Sequence, residues 1–266
     1  MYNDFRASFS PWQEANGDRF FIMVAAPFFL VLTAIFFEYS GFDLWWVSHF
    51  YDNQTHSWPF REHWLFETVI HKWGRYLDLA AGLAWLVVFA LSFFSSILKN
   101  QRRLMVYFLV AAGAGPLFVG AGKHLTHIYT PWDLALFSGT LPHIRLFDPV
   151  PPGLGVGHAF PAGHASGGYA FLSLYFVMGH LGCCRKIYGL MAGLSLGLIF
   201  GAGQQVRGAH FPSHDLFTLV ICWYSALVSY RIFFPEQYTR IVNKTYQKAL
   251  ALGELSQGEP LQGEPK

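Results

Sequence analysis

Long apolar runs alternate with shorter polar segments along most of the chain. Six of these runs have the length of ~17–25 residues that an α-helix needs to cross the hydrocarbon core of a bilayer. They cover residues 19–37, 78–98, 104–122, 166–183, 187–203 and 216–234. Inside a bilayer every backbone polar group needs a hydrogen-bond partner, and a helix supplies these partners within one segment. The pattern therefore predicts an all-α, polytopic membrane protein with six transmembrane helices.

The composition argues against a soluble domain, because 53% of the 266 residues are hydrophobic and only 13% are charged. The formal net charge of +2 is too small to suggest a nucleic-acid partner. Cys183 and Cys184 are adjacent and Cys222 lies inside a predicted helix, so the cysteines indicate no disulfide framework. We expect contacts with membrane lipids and none with nucleic acid, and the oligomeric state stays open.

Basic residues orient the predicted helices, because Lys and Arg in short loops stay on the cytoplasmic side. They follow the second, fourth and sixth predicted helices: Lys99, Arg102, Arg103, Arg185, Lys186, Arg240, Lys244 and Lys248. We therefore expect a multi-pass protein of the inner (cytoplasmic) membrane with both termini in the cytoplasm. Residues 38–77, 123–165 and 204–215 then face the periplasm.

The chain divides into one membrane domain and two flanking segments. Residues 1–18 precede an apolar run without a small-residue cleavage site, which predicts a retained cytoplasmic segment. Residues 19–235 form the expected six-helix domain. Residues 236–266 end in two Gln-Gly-Glu-Pro repeats, a composition typical of a disordered cytoplasmic tail.

Three polar clusters fall at the periplasmic ends of the predicted helices. Lys123 follows the third helix, His164 precedes the fourth, and the third cluster, containing Arg207, His210 and Asp215, separates the fifth from the sixth. The free N–H groups at the start of a helix bind oxyanions, and nearby cations add to this attraction. Histidine suits nucleophilic and acid–base work near neutral pH. Together the clusters predict phosphoryl chemistry at the periplasmic face.

These residues allow two other interpretations. His210 and His214 stand four apart beside Asp215, as in some metal sites. The neighbouring Lys and Arg would repel a divalent cation, and Pro212 disfavours a regular helical His pair, so we expect no metal and no cofactor. Alternatively, the polar side chains only contact lipid headgroups, which is the favoured interpretation for His71 and Arg75.

The order of these residues resembles the three-part signature of the type 2 phosphatidic acid phosphatase family, in its membrane lipid phosphatase branch. The matching stretches are Lys123 to Pro131, then Pro161-Ala-Gly-His164, then Arg207 to Asp215. The family pattern is Lys, six residues, Arg-Pro; then Pro-Ser-Gly-His; then Ser-Arg, five residues, His, three residues, Asp. The resemblance covers about residues 60–235 and implies a six-helix membrane enzyme.

The resemblance also implies a role for each matching residue. His210 attacks phosphorus and becomes a phosphohistidine, which water then hydrolyses. His164 protonates the leaving oxygen. Lys123 and the backbone at Ala162 and Gly163 hold the phosphoryl oxygens, and no metal takes part.

The chain departs from the family pattern at three places. Thr130 and Gln204 stand where the family has arginines, so we expect Arg207 to replace the missing cation, with Arg145 in reserve. Ala162 replaces the serine of the second motif. His214 holds the position of the motif aspartate, with Asp215 one residue later, and either residue can orient His210.

The expected function is a metal-independent phosphatase that hydrolyses a lipid phosphate monoester or diphosphate. Lipid A, phosphatidylglycerol phosphate, phosphatidate and undecaprenyl diphosphate are candidate substrates. A phosphotransferase that uses the same intermediate is one alternative, and a non-enzymatic anion- or lipid-binding protein or transporter is another. Residues 104–122 and 166–203 contain no Asp or Glu, which argues against proton-coupled transport.

Overall fold

The computed structural model describes residues 21–182 and 185–235. Within these ranges the chain forms helices and loops and no β-strand. The expectations about residues 1–18, about residues 236–266 and about Cys183 and Cys184 lie outside the described residues.

Eight α-helices make up the described part of the chain. They are α1 (Ala26–Ser40), α2 (Phe42–Ser48), α3 (Gly74–Leu91), α4 (Arg102–Gly122), α5 (Gly163–Ala170), α6 (Ser173–His180), α7 (Lys186–Val206) and α8 (Pro212–Phe233). Short π-helical segments, Phe21–Ala25 and Trp64–Trp73, run directly into α1 and α3. A 3-10 turn, Lys99–Gln101, precedes α4.

Five helical segments are long and apolar enough to cross a membrane, which makes this a multi-pass membrane protein. They are Phe21–Ser40, Trp64–Leu91, Lys99–Gly122, Lys186–Val206 and Pro212–Phe233. These segments confirm five of the six predicted helices.

The second membrane helix lies earlier in the chain than predicted. Its helical backbone begins at Trp64, whereas the apolar run predicted a start at residue 78. It ends near Leu91, because Ser92 turns its carbonyl oxygen toward Arg102, whose Nη2 donates to it at 2.6 Å. The predicted extension to residue 98 is therefore wrong.

The predicted fourth span does not form one continuous helix. It consists of the two eight-residue helices α5 and α6, with a break at Phe171 and Leu172. At the break the N–H of Phe171 bonds the carbonyl of Gly168, three residues back, at 3.2 Å. Such tighter turns interrupt the α-helical ladder. A sixth continuous membrane-spanning helix is therefore not confirmed.

Glycines at every fourth position of α7 create a flat face for its neighbours. Gly189, Gly193, Gly197 and Gly201 share one side of the helix, since residues four apart lie one above the other. A methyl group at Gly189 would lie 2.7 Å from the carbonyl carbon of Leu174. The backbones of α5 and α6 thus rest almost directly on α7, as small residues allow between membrane helices.

Aromatic side chains fill the core where α5 and α6 pack against α4 and α8. Tyr107, Tyr169, Phe176 and Trp223 belong to one buried cluster there. A second cluster lies above the helix ends and joins Val47, Tyr51, Trp58, Phe137 and Phe211. We refer to residues 42–63 and 124–162, which supply most of it, as the cap.

The contact of α5 with α7 predicts a strong effect of one added methyl group. Gly168→Ala would place a methyl 2.5 Å from the carbonyl carbon of Leu196 and should destabilise the bundle by ~1–3 kcal/mol or more. Gly113→Ala, in α4, meets nothing within 4 Å and is the matched control. Thermal unfolding in detergent should show a lowered Tm for the first variant only. Equal Tm values would contradict this packing.

The orientation in the membrane can be tested at two exposed residues. Leu136 of the cap is 61% exposed, and Ile97, between α3 and α4, is 84% exposed. In a variant without the native cysteines, we expect an impermeant maleimide to label Leu136→Cys once the outer barrier is opened. Ile97→Cys should react only after the inner membrane is permeabilised. The reverse pattern would invert the topology.

Candidate active site

The turn between α7 and α8 places His210 at the end of the bundle. The helix α7 ends in a Schellman motif, in which the N–H of Gly208 bonds the carbonyl of Gln205 and the N–H of Ala209 that of Gln204, both at 2.9 Å. Gly208 has a φ of +78°, which glycine adopts readily. Pro212 then starts α8 as its first residue. The chain reverses within these few residues, and His210 lies between the two helices.

A buried carboxylate from the cap fixes the start of α8. Asp43 accepts hydrogen bonds from the N–H of Ser213 at 3.1 Å and from its hydroxyl at 2.5 Å. Burial raises the pKa of Asp43 to about 6, and the bonds from Ser213 oppose this shift. Asp43 cannot be recognised from the sequence, because its partner Ser213 lies 170 residues away.

The His210 ring is enclosed beside a second imidazole. His210 is 7% exposed, and its ring centre lies 5.8 Å from that of His214. Among the described residues, Nδ1 of either ring has no hydrogen-bond partner. Burial first, and then the charge of Lys123, hold the pKa of His210 well below its ordinary value. His210 is therefore neutral near pH 7 and keeps the lone pair that nucleophilic attack requires.

Lys123 joins the end of α4 to the start of α5. Its Nζ donates to the backbone carbonyl of His158 at 2.9 Å. Its chain crosses Gly163 so closely that a methyl group there would lie 2.8 Å from Cε. Burial lowers the pKa of Lys123 to about 8, so the ammonium is mostly charged at neutral pH. The structure thus brings Lys123 and Gly163 together, as the sequence predicted.

The first turn of α5 offers backbone N–H groups. Ala162 precedes the helix in an extended conformation and makes no capping hydrogen bond through its side chain. Its carbonyl accepts from the hydroxyl of Thr218 at 3.2 Å, which ties α5 to α8. The N–H groups of the first turn have no partner within the helix, an arrangement suited to an oxyanion.

His164 follows in the same turn and lines an open pocket of about 310 Å³ with His71, Arg75, Asp78, Gly163 and Ser166. Its Nε2 lies 3.1 Å from the carbonyl oxygen of Ile70. Its ring lies between His71 and Phe200, each with its ring centre 4.8 Å away. Burial lowers the pKa of His164 to about 4, so the ring is neutral near pH 7.

Arg207 lies beside this pocket, and neighbouring groups occupy its guanidinium. Nε donates to the carbonyl of Arg61 at 2.8 Å, and Nη1 donates to Gln204 at 2.9 Å. Nη1 also lies 3.1 Å from Nδ1 of His71, and Nη2 forms an ion pair with Glu67. Glu67 was missed from the sequence, although Glu67 and His71 have the i, i+4 spacing of helical partners.

Arg145 lies in another part of the cap. It forms a two-pronged ion pair with Asp148, with N–O distances of 2.8 and 3.0 Å. Its guanidinium covers the ring of Tyr39 at 4.5 Å. The structure does not bring Arg145 into contact with His164 or His210.

The two candidates for orienting His210 point in different directions. The Asp215 carboxylate accepts from the amide of Gln205 and faces α7, where a methyl group at Gly201 would lie 2.6 Å from it. The ring of His214 is adjacent to that of His210. The residue beside His210 is therefore His214, which holds the position of the motif aspartate, and not the acidic Asp215.

At the two motif positions where the family has arginines, this chain has the uncharged residues Thr130 and Gln204. The hydroxyl of Thr130 bonds Asp133 at 2.5 Å, and Gln204 accepts from Arg207. For a metal, the described ranges offer no group of three His, Cys, Asp or Glu side chains.

Part of the chain matches a known protein family. A family model described as the PAP2 superfamily matches residues 104–238, half of the chain. No curated protein and no solved structure matched the chain. The match spans α4 to α8 and includes Lys123, Gly163, His164 and His210, which the fold gathers at one end of the bundle. The chain therefore belongs to the PAP2 superfamily, a family of phosphatases.

Proposed function

We propose that this protein is a membrane lipid phosphatase that works through a phosphohistidine on His210. The observation that carries the proposal is the placement of His210, 7% exposed, within range of the charge of Lys123, whose side chain in turn crosses Gly163 in the first turn of α5. A neutral imidazole is a nucleophile, and the cation with the backbone N–H groups attracts the phosphoryl group to it.

The reaction begins with attack of a His210 nitrogen on phosphorus. As the N–P bond forms, the bond from phosphorus to the lipid oxygen breaks. His164 donates a proton to that oxygen, which leaves as an alcohol or, from a diphosphate, as a lipid monophosphate. In the second step His164 takes a proton from water, the water oxygen attacks phosphorus, and the N–P bond breaks to release phosphate and His210.

The low pKa of His164 fits this role only when substrate is present. With a pKa of about 4, the ring by itself is uncharged near pH 7. A bound phosphoryl group brings negative charge close to it and raises its pKa, because an opposite charge favours the protonated form. His164 then takes up a proton from solvent as substrate binds, and this is the proton that it donates to the leaving oxygen.

Lys123 and the N–H groups of the first turn of α5 would hold the equatorial oxygens, where charge accumulates in phosphoryl transfer. These groups carry positive charge without a metal ion, so we propose a metal-independent mechanism. Phosphate release by the purified protein in detergent should persist in EDTA.

The location of the site supports a lipid substrate. Lys123 directly follows a helix that is long and apolar enough to span the membrane. A phosphate bound there lies at headgroup depth while its acyl or isoprenoid chains stay in the bilayer. Lipid A, phosphatidylglycerol phosphate, phosphatidate and undecaprenyl diphosphate all meet this condition, and we place the site on the periplasmic side. A panel of these lipids, with phosphate release measured for each, tests the proposal.

The two histidines should respond differently to substitution. His210→Ala should abolish turnover and any acid-labile phosphoenzyme. His164→Ala should lower kcat by ~10²–10⁴-fold on an alkyl phosphate, and by less on nitrophenyl phosphate, whose leaving oxygen needs no proton. His49→Ala, at an exposed histidine directly after α2, is the control. Equal losses on both substrates would contradict the role of His164.

The kcat/KM should fall at alkaline pH, where Lys123 loses its proton. With a pKa of about 8, its side chain is charged below that pH and neutral above it. We expect kcat/KM to fall by about tenfold per pH unit above the pKa, because the neutral amine no longer attracts the phosphoryl oxygens. Lys123→Arg should move this fall to higher pH, since a guanidinium stays charged. Superimposable pH profiles of kcat/KM would argue against the assigned role.

A further inference from the structure

A phosphoryl group in the pocket beside His164 would be held best by a guanidinium, which the expected residues do not supply. A phosphoryl group presents two oxygens side by side, and an arginine holds both at once where a lysine acts as a point charge. Arg207 is already bonded to Arg61, Gln204 and Glu67. To turn its guanidinium into the pocket, Arg207 would have to give up its bonds to Arg61, Gln204 and Glu67 together.

Arg145 is engaged as well, because two of its nitrogens bond Asp148 and its guanidinium covers the ring of Tyr39. Arg61 lies over the indole of Trp132, 4.3 Å from its centre. These guanidinium groups are therefore used in holding the cap together.

Arg75 differs from these arginines in both position and partners. It is exposed, lies in the first turn of α3, and lines the pocket together with Gly163 and His164. Its charge reaches His164, where it contributes to the lowered pKa of that ring. Across residues 21–182 and 185–235, the structure shows no hydrogen bond or ion pair made by the Arg75 side chain.

We propose that Arg75 is the phosphate-binding arginine of this enzyme and fills the role that Thr130 and Gln204 cannot fill. Its guanidinium holds two oxygens of the phosphoryl group, and Lys123 and the first turn of α5 hold the group from the side of Gly163. The proposal rests on the function proposed above, and it places the substrate phosphate in this pocket, which Gly163 and His164 line. Arg75 would then bind the substrate phosphate, whereas the sequence had favoured contact with lipid headgroups alone.

Asp78 is the acidic neighbour that this assignment has to accommodate. It lies three residues after Arg75, lines the same pocket and packs against Gly167. Its Oδ1 is buried and lacks a hydrogen-bond partner among the described residues. A carboxylate there repels a phosphate and limits how tightly product is held. Asp78→Asn should therefore strengthen the binding of inorganic phosphate.

The test separates anion binding from turnover. In the His210→Ala background, which cannot form the phosphoenzyme, the Kd of inorganic phosphate is measured by calorimetry in detergent. Adding Arg75→Ala should weaken binding by at least about tenfold, because a charge-assisted bidentate contact is lost. Adding Arg75→Lys should weaken it less. Arg103→Lys, at the first turn of α4 and ~30 Å from Lys123 along that helix, should change nothing.

In the protein with His210 intact, Arg75→Lys should lower kcat/KM by on the order of 10–1,000-fold. Added guanidinium ion should restore part of the activity of Arg75→Ala, which a merely structural role would not allow. Folding of each variant is checked by circular dichroism and gel filtration, and Arg75→Gln replaces any variant that fails.

The outcomes distinguish this proposal from the proposed function. Folded Arg75 variants with the phosphate affinity and kcat/KM of the Arg103 control would overturn the role of Arg75. If the unmodified protein hydrolyses no lipid phosphate, the proposed function fails, and the calorimetry still decides whether Arg75 binds phosphate. Normal phosphate binding with reduced turnover would also count against direct contact.

Discussion

The glycine face of α7 is the constraint on which the rest of the structure depends. Because Gly189, Gly193 and Gly197 have no side chains, the backbones of α5 and α6 approach α7 closely enough for direct contact. This approach fixes the height at which α5 begins, and with it the position of Gly163 and His164. One turn further along α7, Gly201 leaves room for the carboxylate of Asp215. A single helix face therefore sets both the first turn of α5 and the start of α8.

Burial gives the candidate site its chemistry. It lowers the pKa values of His164 and His210 and brings that of Lys123 down to about 8. The site thus carries less positive charge near pH 7 than its number of basic residues suggests. In the proposed mechanism, negative charge on an incoming phosphoryl group reverses this balance, because it stabilises the protonated forms of the same side chains. Binding and proton supply would then be coupled through one electrostatic effect.

The arginines at this end of the molecule divide into those that hold the cap and one that faces the pocket. Arg207 links the α7 end to Glu67 and His71 of the second membrane helix, so its charge also positions the ring that contacts His164. Departures from the family pattern at Thr130 and Gln204 need not mean a loss of cationic charge. A helix that lies outside the matched residues 104–238 brings Arg75 to the same pocket.

The sequence by itself determined the features that depend on local pattern. Apolar runs identified five membrane helices, and three short motifs led to Lys123, His164 and His210, because both signals are carried by neighbouring residues. The tertiary structure decided what depends on contacts between distant segments. These are the break between α5 and α6, the capping of α8 by Asp43, the pairing of Arg207 with Glu67, and the choice of His214 over Asp215 as the neighbour of His210. Spacing along the chain shows which residues can take part in a site. Only packing determines which way each side chain points and which group it bonds.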